Sequence, residues 1–243
     1  NVSRLRVAWR WKSDNFGASI YPNLEVTPLM SRGVLYATAG SSRSVVAIDA
    51  RTGETLWMYR INEGARGDIA PRKGPGRGLS LWRDGDRETL FMITPGYQLV
   101  ALDARTGRPV AGFGEDGVLD LKRAADPAID PMAPIGSSSP PVIVGDVVIV
   151  GSAFPAGAAP PRKEMAKGNV MGFDARTGRR LWVFHTIARK GEAGGDTWTD
   201  EAREYTGNTG VWAQISVDVE AGLAYLPVEL PTHDYYGGQR PGD

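Results

Sequence analysis

The stretch AIDARTGETLW at residues 47–57 returns as ALDARTGRPVA at 101–111 and as GFDARTGRRLW at 172–182. Each copy runs as a short apolar strand up to an aspartate, passes through Thr-Gly, and resumes as a second short strand. An Asp side chain in such a turn accepts hydrogen bonds from backbone N–H groups two residues on, and the glycine tolerates positive φ. The three copies therefore predict three β-hairpins with the same turn.

A further apolar strand precedes each copy, behind a polar turn, and these strands end at Ala39, Thr94 and Ser152. A fourth such strand, VEAGLAYLPV at 219–228, follows the third copy. No stretch keeps apolar residues at helical spacing for three turns without a Gly or Pro, so no long helix is expected. One short helical turn is expected near 120–125. The sequence predicts a unit of several short antiparallel strands, repeated about four times.

Repeated small sheets bury their flat faces by stacking around an axis, which predicts a β-propeller. Trp57 and Trp182 occupy the same place in their copies, and an indole buries about 150–250 Å², which suits a blade junction. Ala111 stands there in the second copy, so that junction is either looser or filled by Phe113. Three long insertions are predicted to be loops, at 61–78, 113–139 and 154–168.

The composition excludes several classes of function. The chain has 28 basic and 28 acidic residues, so no net charge steers it toward nucleic acid. It has no cysteine and two histidines, so any metal must be held by oxygen ligands. No apolar run approaches the roughly 20 residues that span a bilayer, and the N-terminus has no signal-peptide core. The chain is thus either cytoplasmic or without its leader.

The repeat A-x-D-x-x-T-G-x-x-x-W resembles the tryptophan-docking motif of the quinoprotein alcohol and glucose dehydrogenases, which use pyrroloquinoline quinone (PQQ). Scaffold propellers of the outer-membrane assembly machinery share this motif. Further segments narrow the resemblance to the dehydrogenases: NLEVTPLM at 23–30, GRGLSLW at 76–82, GSSSPPVIVGD at 136–146, TGNTGVW at 206–212 and LPTHDYYGGQRPGD at 230–243. The resemblance implies an all-β fold of about four blades of an eight-bladed propeller. Residues 1–243 form one partial domain, and the later blades would follow Asp243.

The resemblance also implies a site for PQQ, a flat ring system with three carboxylates. Such a group needs an aromatic platform and donors for its carboxylates. Trp212 is similar to the family's platform and Arg77 to its carboxylate-binding arginine, the alternatives being a blade-junction tryptophan and a solvated arginine. Glu25 resembles an acidic cofactor contact, and Ser138 and Ser139 resemble hydroxyl donors.

Calcium is the metal that the resemblance implies, because flexible, oxygen-rich loops favour it over magnesium. Glu164 lies near the position of a calcium-binding Glu in methanol-dehydrogenase-like relatives, one residue out of register. The family's Asn ligand is absent, so either Glu229 or Thr232 supplies oxygen there. Thr232 is also assigned to the cofactor. Otherwise the site resembles the membrane glucose-dehydrogenase branch, with the segment Thr-His-Asp at 232–234.

The expected activity is the oxidation of an alcohol or sugar hydroxyl in the periplasm, with electrons passing to cytochrome c or a membrane quinone. The family's general base is an Asp in an H-D-x-W-D segment that this chain lacks. No catalytic residue is therefore assigned, and residues 1–243 alone are expected to be inactive. The alternative is a non-catalytic propeller that binds partner proteins. Its axial end would be lined with apolar or random residues, and Glu25, Arg77, Glu164 and Trp212 would lie apart from one another.

Overall fold

The computed structural model describes residues 2–13, 16, 23–155, 162–233 and 235–241, and its regular structure is mostly β-strand. Three four-stranded sheets follow one another along the chain, each with its strands in sequence order, and a two-stranded sheet follows them. We call these blades 1, 2 and 3 and the partial blade 4. All strand pairings are antiparallel. The predicted all-β propeller repeat is confirmed.

The strands are short. Blade 1 holds β1 (Leu29–Ser31), β2 (Val34–Ala39), β3 (Ser44–Asp49) and β4 (Thr55–Tyr59). Blade 2 holds β5 (Ser80–Asp84), β6 (Arg87–Ile93), β7 (Gln98–Asp103) and β8 (Val118–Asp120). Blade 3 holds β9 (Val142–Val144), β10 (Val147–Val150), β11 (Val170–Asp174) and β12 (Arg180–Phe184). The partial blade 4 holds β13 (Ser216–Asp218) and β14 (Leu223–Tyr225).

Helical turns lie between the strands: α1 (Ala65–Asp68), α2 (Leu121–Ala124) and α3 (Asp200–Tyr205), with 3₁₀ turns at Val2–Arg4 and Gly195–Thr197. The helix α2 confirms the turn expected near 120–125. The Asp120 side chain caps it by accepting from the backbone N–H groups of Lys122 and Arg123. Within the ranges described above, none of the helices has the length and apolar character needed to cross a membrane.

Two predicted loops are wrong in part, because 61–78 contains α1, and 113–139 contains β8 besides the expected helical turn α2. The second repeat places Pro109 where the fourth strand should begin, and proline cannot donate to a strand ladder. Only an isolated bridge from Leu102 to Pro109 forms there. The chain then turns back through Gly117, and β8 completes the blade against β7.

The repeated hairpin turns form as predicted. The Asp49 carboxylate accepts from the backbone N–H groups of Arg51 and Thr52, and these hydrogen bonds lower the pKa of Asp49. Asp174 in the third copy accepts from the corresponding pair of backbone N–H groups, and Asp103 in the second copy accepts from the backbone N–H and the hydroxyl of Thr106. In each copy the turn glycine donates its N–H to the aspartate carbonyl and has positive φ, at Gly53 (78°), Gly107 (69°) and Gly178 (74°).

An aromatic ring from an earlier part of the chain also packs against each turn glycine. Trp57 Nε1 donates to the Ala104 carbonyl at 3.1 Å, and a Cβ on Gly107 would lie 2.4 Å from the Trp57 ring. Trp9 makes the same contacts with Ala50 and Gly53. It lies before the first copy of the repeat, so the repeat itself did not predict this contact. The tryptophans therefore dock on the next blade's turn.

Phe113 fills the junction between blades 2 and 3. The second of the two interpretations of Ala111, a junction filled by Phe113 rather than a looser one, is therefore correct. Phe113 is fully buried, and a Cβ on Gly178 would lie 3.3 Å from its ring. Trp182 is 38 % exposed, and its ring lies against Gly172 of its own sheet.

Substitution of Gly107 by alanine tests the docking contact. Gly33→Ala is a matched control, since Gly33 has a φ of 79° but nothing within 4 Å of a Cβ. We expect the control to lose about 1 kcal/mol of unfolding free energy from its backbone alone. Gly107→Ala should lose roughly 1–3 kcal/mol more, because its methyl group overpacks against Trp57. Equal losses in urea denaturation would show that the ring does not constrain this glycine.

Candidate functional site

The segments that precede the first strand of each blade lie at the same end of the blades, because every blade has the same strand order. Four of them carry predicted site residues: 23–28 before β1, 71–79 before β5, 136–141 before β9 and 206–215 before β13. Most of the predicted cofactor residues therefore come from different blades but share one end of the propeller.

The structure brings Arg77 into contact with three of the other predicted residues. Its Nε lies 3.0 Å from Glu25 Oε2, and its Nη1 lies 3.4 Å from Ser138 Oγ. The Cζ of Arg77 is 5.3 Å from the centroid of the Trp212 ring, within the range of a cation–π contact. Ser139 Oγ donates to the Trp212 carbonyl at 2.6 Å, which fixes the backbone under the ring.

Backbone contacts hold Arg77 in place. Its N–H donates to the Ser138 carbonyl at 2.8 Å, and its carbonyl accepts from Thr27 N–H at 3.1 Å. Gly78 follows with a φ of 126°, and a Cβ there would lie 2.8 Å from the Thr27 carbonyl oxygen. The segment can approach Thr27 this closely only because residue 78 is glycine.

These residues surround an open cavity of about 280 Å³. Two cations that the sequence reasoning missed also line it, Arg72 and Lys73, and the Cζ of Arg72 lies 5.8 Å from the Trp212 ring centroid. The signal for them was the basic run Pro-Arg-Lys directly before the Gly-rich segment. The complete lining is Asn23, Glu25, Pro71, Arg72, Lys73, Gly76, Arg77, Ser138 and Trp212.

The cavity therefore presents three cations, one carboxylate, a hydroxyl and an aromatic ring. A planar aromatic anion fits this set, because its ring system can lie on the indole while cationic donors meet its carboxylates. The residues present thus fit PQQ.

Thr232 lies outside the lining of this cavity. It is buried, and its Oγ1 accepts from the Gly207 N–H at 2.8 Å while its own N–H donates to the Gly207 carbonyl. Glu229 N–H donates to the Gly210 carbonyl at 2.9 Å. Both residues therefore form hydrogen bonds with the loop that carries Trp212. Their direct binding of the cofactor or of a metal stays a prediction.

Glu164, the first predicted metal ligand, is exposed and precedes Met165, whose N–H donates to the Tyr205 carbonyl. In the part of the chain that the structure describes, no three Asp, Glu, His or Cys side chains are grouped so that they could hold a metal ion. Asp234, considered with Thr232, lies outside the described residues. Calcium stays a prediction, and no chemical step is derived through it.

A half-buried lysine supports the same region. Lys167 Nζ donates to the carbonyls of Arg203 and Thr206, at 2.6 and 2.7 Å, and partial burial lowers its pKa. The loop from Thr206 to Trp212 is thus held both by a half-buried cation and by the segment containing Thr232.

The blades and this pocket define the chain as part of a β-propeller with an aromatic, cation-rich pocket at one end. The family model described as "PQQ: Glucose/ethanol/alcohol dehydrogenase, beta-propeller domain" matches residues 1–243. The chain belongs to this family of quinoprotein dehydrogenase propellers.

Individual relatives agree with this assignment. The chain is 28% identical over 262 residues to a quinoprotein glucose dehydrogenase of Gluconobacter oxydans, covering 100% of this chain and 31% of the relative. It is 29% identical over 237 residues to the quinohemoprotein alcohol dehydrogenase ADH IIB of Pseudomonas putida, covering 93% and 30%. The chain thus spans about a third of the length of these relatives.

Solved structures show the same fold. Quinohemoprotein alcohol dehydrogenase ADHIIG from Pseudomonas putida HK5 superposes with a TM-score of 0.67 at 26% identity, covering 86% of this chain and 28% of that one. A europium-containing methanol dehydrogenase superposes with a TM-score of 0.72 at 23% identity, covering 100% and 40%. The latter likeness supports the fold alone.

Proposed function

We propose that this chain forms part of the PQQ-binding pocket of a quinoprotein dehydrogenase. The observation that carries the proposal is the convergence of Trp212, Arg77 and Ser138, from three separate segments, on one cavity that also holds Arg72 and Lys73. When bound, PQQ would supply the two-electron acceptor for the oxidation of the substrate hydroxyl. The chain's own residues would stack against the ring, neutralise its carboxylates and hold it in one orientation.

The substrate is proposed to be an alcohol or a sugar hydroxyl, since the named relatives are alcohol and glucose dehydrogenases. The proposed electron acceptor is cytochrome c or a membrane quinone, the proposed compartment is the periplasm, and the proposed metal is calcium. The scaffold alternative expects Glu25, Arg77, Glu164 and Trp212 to lie apart, and of these four only Glu164 is outside the cavity lining. The ion pair between Arg77 and Glu25, with Trp212 beside it, favours the cofactor site.

Direct binding tests the proposal. PQQ is titrated, with and without calcium, into the full-length protein that carries this chain, by calorimetry and by quenching of tryptophan fluorescence. Arg77→Gln should weaken binding about 10- to 100-fold, because a charge-assisted hydrogen bond contributes about 1.5–3 kcal/mol. Arg105→Gln, at an exposed arginine in the second hairpin turn, is the matched control and should bind like the wild type.

Dye reduction with alcohols and aldoses then tests the reaction class. Wild-type protein that neither binds PQQ nor reduces the dye would overturn the proposed function. Equal affinities for Arg77→Gln and Arg105→Gln would remove Arg77 from the site.

A further inference from the structure

Arg43 is a deeply buried cation that lies below the cofactor pocket and outside its lining. It is the last residue of the turn between β2 and β3, where an arginine is normally solvated, yet its relative exposure is 2%. Burying a guanidinium is costly unless its donors are satisfied. A buried arginine at a turn therefore calls for a specific explanation.

The guanidinium of Arg43 donates to backbone carbonyls on three separate segments. Its Nε donates to Gly74 at 3.1 Å and its Nη2 to Arg72 at 2.9 Å. Its Nη1 donates to Ile93 at 2.8 Å and to Ser137. A planar fork with five N–H groups can reach several carbonyls at once, which an ammonium group cannot match.

Two of these three segments build the cofactor pocket. Arg72 lines the pocket itself, and the segment containing Gly74 leads directly to Arg77, while Ser137 precedes Ser138. Gly76 lies immediately over the guanidinium, since a Cβ there would lie 2.8 Å from Arg43 Nε and 3.0 Å from the Ser138 carbonyl oxygen. The two pocket loops are therefore fastened to one another through Arg43.

Carbonyls in irregular loops have no strand ladder to satisfy them, so a side-chain donor that bonds to several of them helps to hold such loops together. Here the guanidinium acts beside the direct backbone bond from Arg77 N–H to the Ser138 carbonyl. We propose that Arg43 is a positioning residue for the cofactor pocket. Its buried guanidinium sets the spacing between the Arg72–Arg77 loop and the Ser137–Ser139 loop, so that Arg77, Ser138 and Trp212 meet one planar anion. This inference rests on the proposed function.

The test compares PQQ affinity with stability in the full-length protein. Arg43→Met should weaken PQQ binding about 10- to 100-fold, the size typical for loss of a residue that orients ligand-contacting groups. Arg43→Lys keeps the charge but not the fork and should recover affinity to within about tenfold of the wild type.

Lys122→Met is the matched control. Lys122 is also a buried cation, and its Nζ donates to the carbonyls of Pro131 and Ala133, which do not line the pocket. This variant should lower the melting temperature and leave PQQ affinity unchanged. If Arg43→Met, at an equal loss of melting temperature, keeps wild-type affinity, Arg43 is merely structural and the inference is wrong.

A glycine pair keeps the inference falsifiable if Arg43→Met does not fold. Gly76→Ala pushes against Arg43 and Ser138, whereas Gly85→Ala also has positive φ but nothing within 4 Å of its Cβ. Only Gly76→Ala should weaken PQQ binding, and equal affinities in this pair would overturn the inference. Wild-type protein that does not bind PQQ would instead overturn the proposed function, and the inference with it.

Discussion

Trp212→Ala is expected to weaken PQQ binding by about two orders of magnitude, the largest effect that we predict on the site. Covering one face of the indole removes roughly 100 Å² of apolar surface from water, worth about 2.5 kcal/mol, and stacking adds about 0.5–1 kcal/mol. A loss of roughly 3 kcal/mol corresponds to more than a hundredfold in Kd. The backbone bond from Ser139 to the residue 212 carbonyl does not depend on the indole and should survive.

Two further variants separate a stacking platform from a junction tryptophan. Trp212→Phe keeps a smaller ring and should recover most of the affinity. Trp11→Ala removes a half-buried indole whose Nε1 donates to Thr55 on the outer strand of blade 1, away from the pocket, and should leave affinity unchanged. Calorimetric titration measures all three. If Trp212→Ala loses stability but binds PQQ as tightly as the wild type, Trp212 is a blade-junction residue and the prediction of a stacking platform is wrong.

Phe113→Ala is expected to cost about 3–5 kcal/mol of unfolding free energy, the largest effect on the fold. Phe113 is fully buried between blades 2 and 3, and its ring centroid lies 5.4 Å from that of Phe91. It fills the place that tryptophan occupies at the neighbouring junction, so its removal leaves a cavity between two blades. Equilibrium denaturation in urea measures the loss of unfolding free energy.

Phe184→Ala is the control for that experiment, because Phe184 is 51% exposed at the outer strand of blade 3. Its loss should cost about 1 kcal/mol or less, in proportion to the smaller apolar area that it buries. A Phe113→Ala variant no less stable than Phe184→Ala would mean that the blades do not depend on this ring for their contact.

The hairpin turns were predictable because their chemistry is local. Asp49 and Gly53 interact across four residues, so spacing alone specifies the turn. The fourth strand of blade 2 was not predictable in this way, since Pro109 displaces it and Gly117 redirects the chain. The identity of the ring at that junction likewise depended on whether residue 113 reached the turn at Gly178, a contact between distant segments.

The residues of the candidate site likewise fall into those that the sequence predicted and those that only the fold revealed. Trp212, Arg77, Glu25 and Ser138 stand in motifs with a family resemblance, so the sequence by itself indicated them. The cations Arg72 and Lys73 stand in no such motif, and they join the pocket through the course of their loop.

The repeated strand–turn–strand unit could be predicted from the order of the residues, because hydrogen bonds between near neighbours specify each turn. The burial of an arginine from the turn between β2 and β3 beneath two loops of other blades became evident only in the folded molecule. The carbonyl groups that surround Arg43 come from residues 29 to 94 positions further along the chain. Contacts at such separations arise from the stacking of blades, which no local pattern of residues specifies.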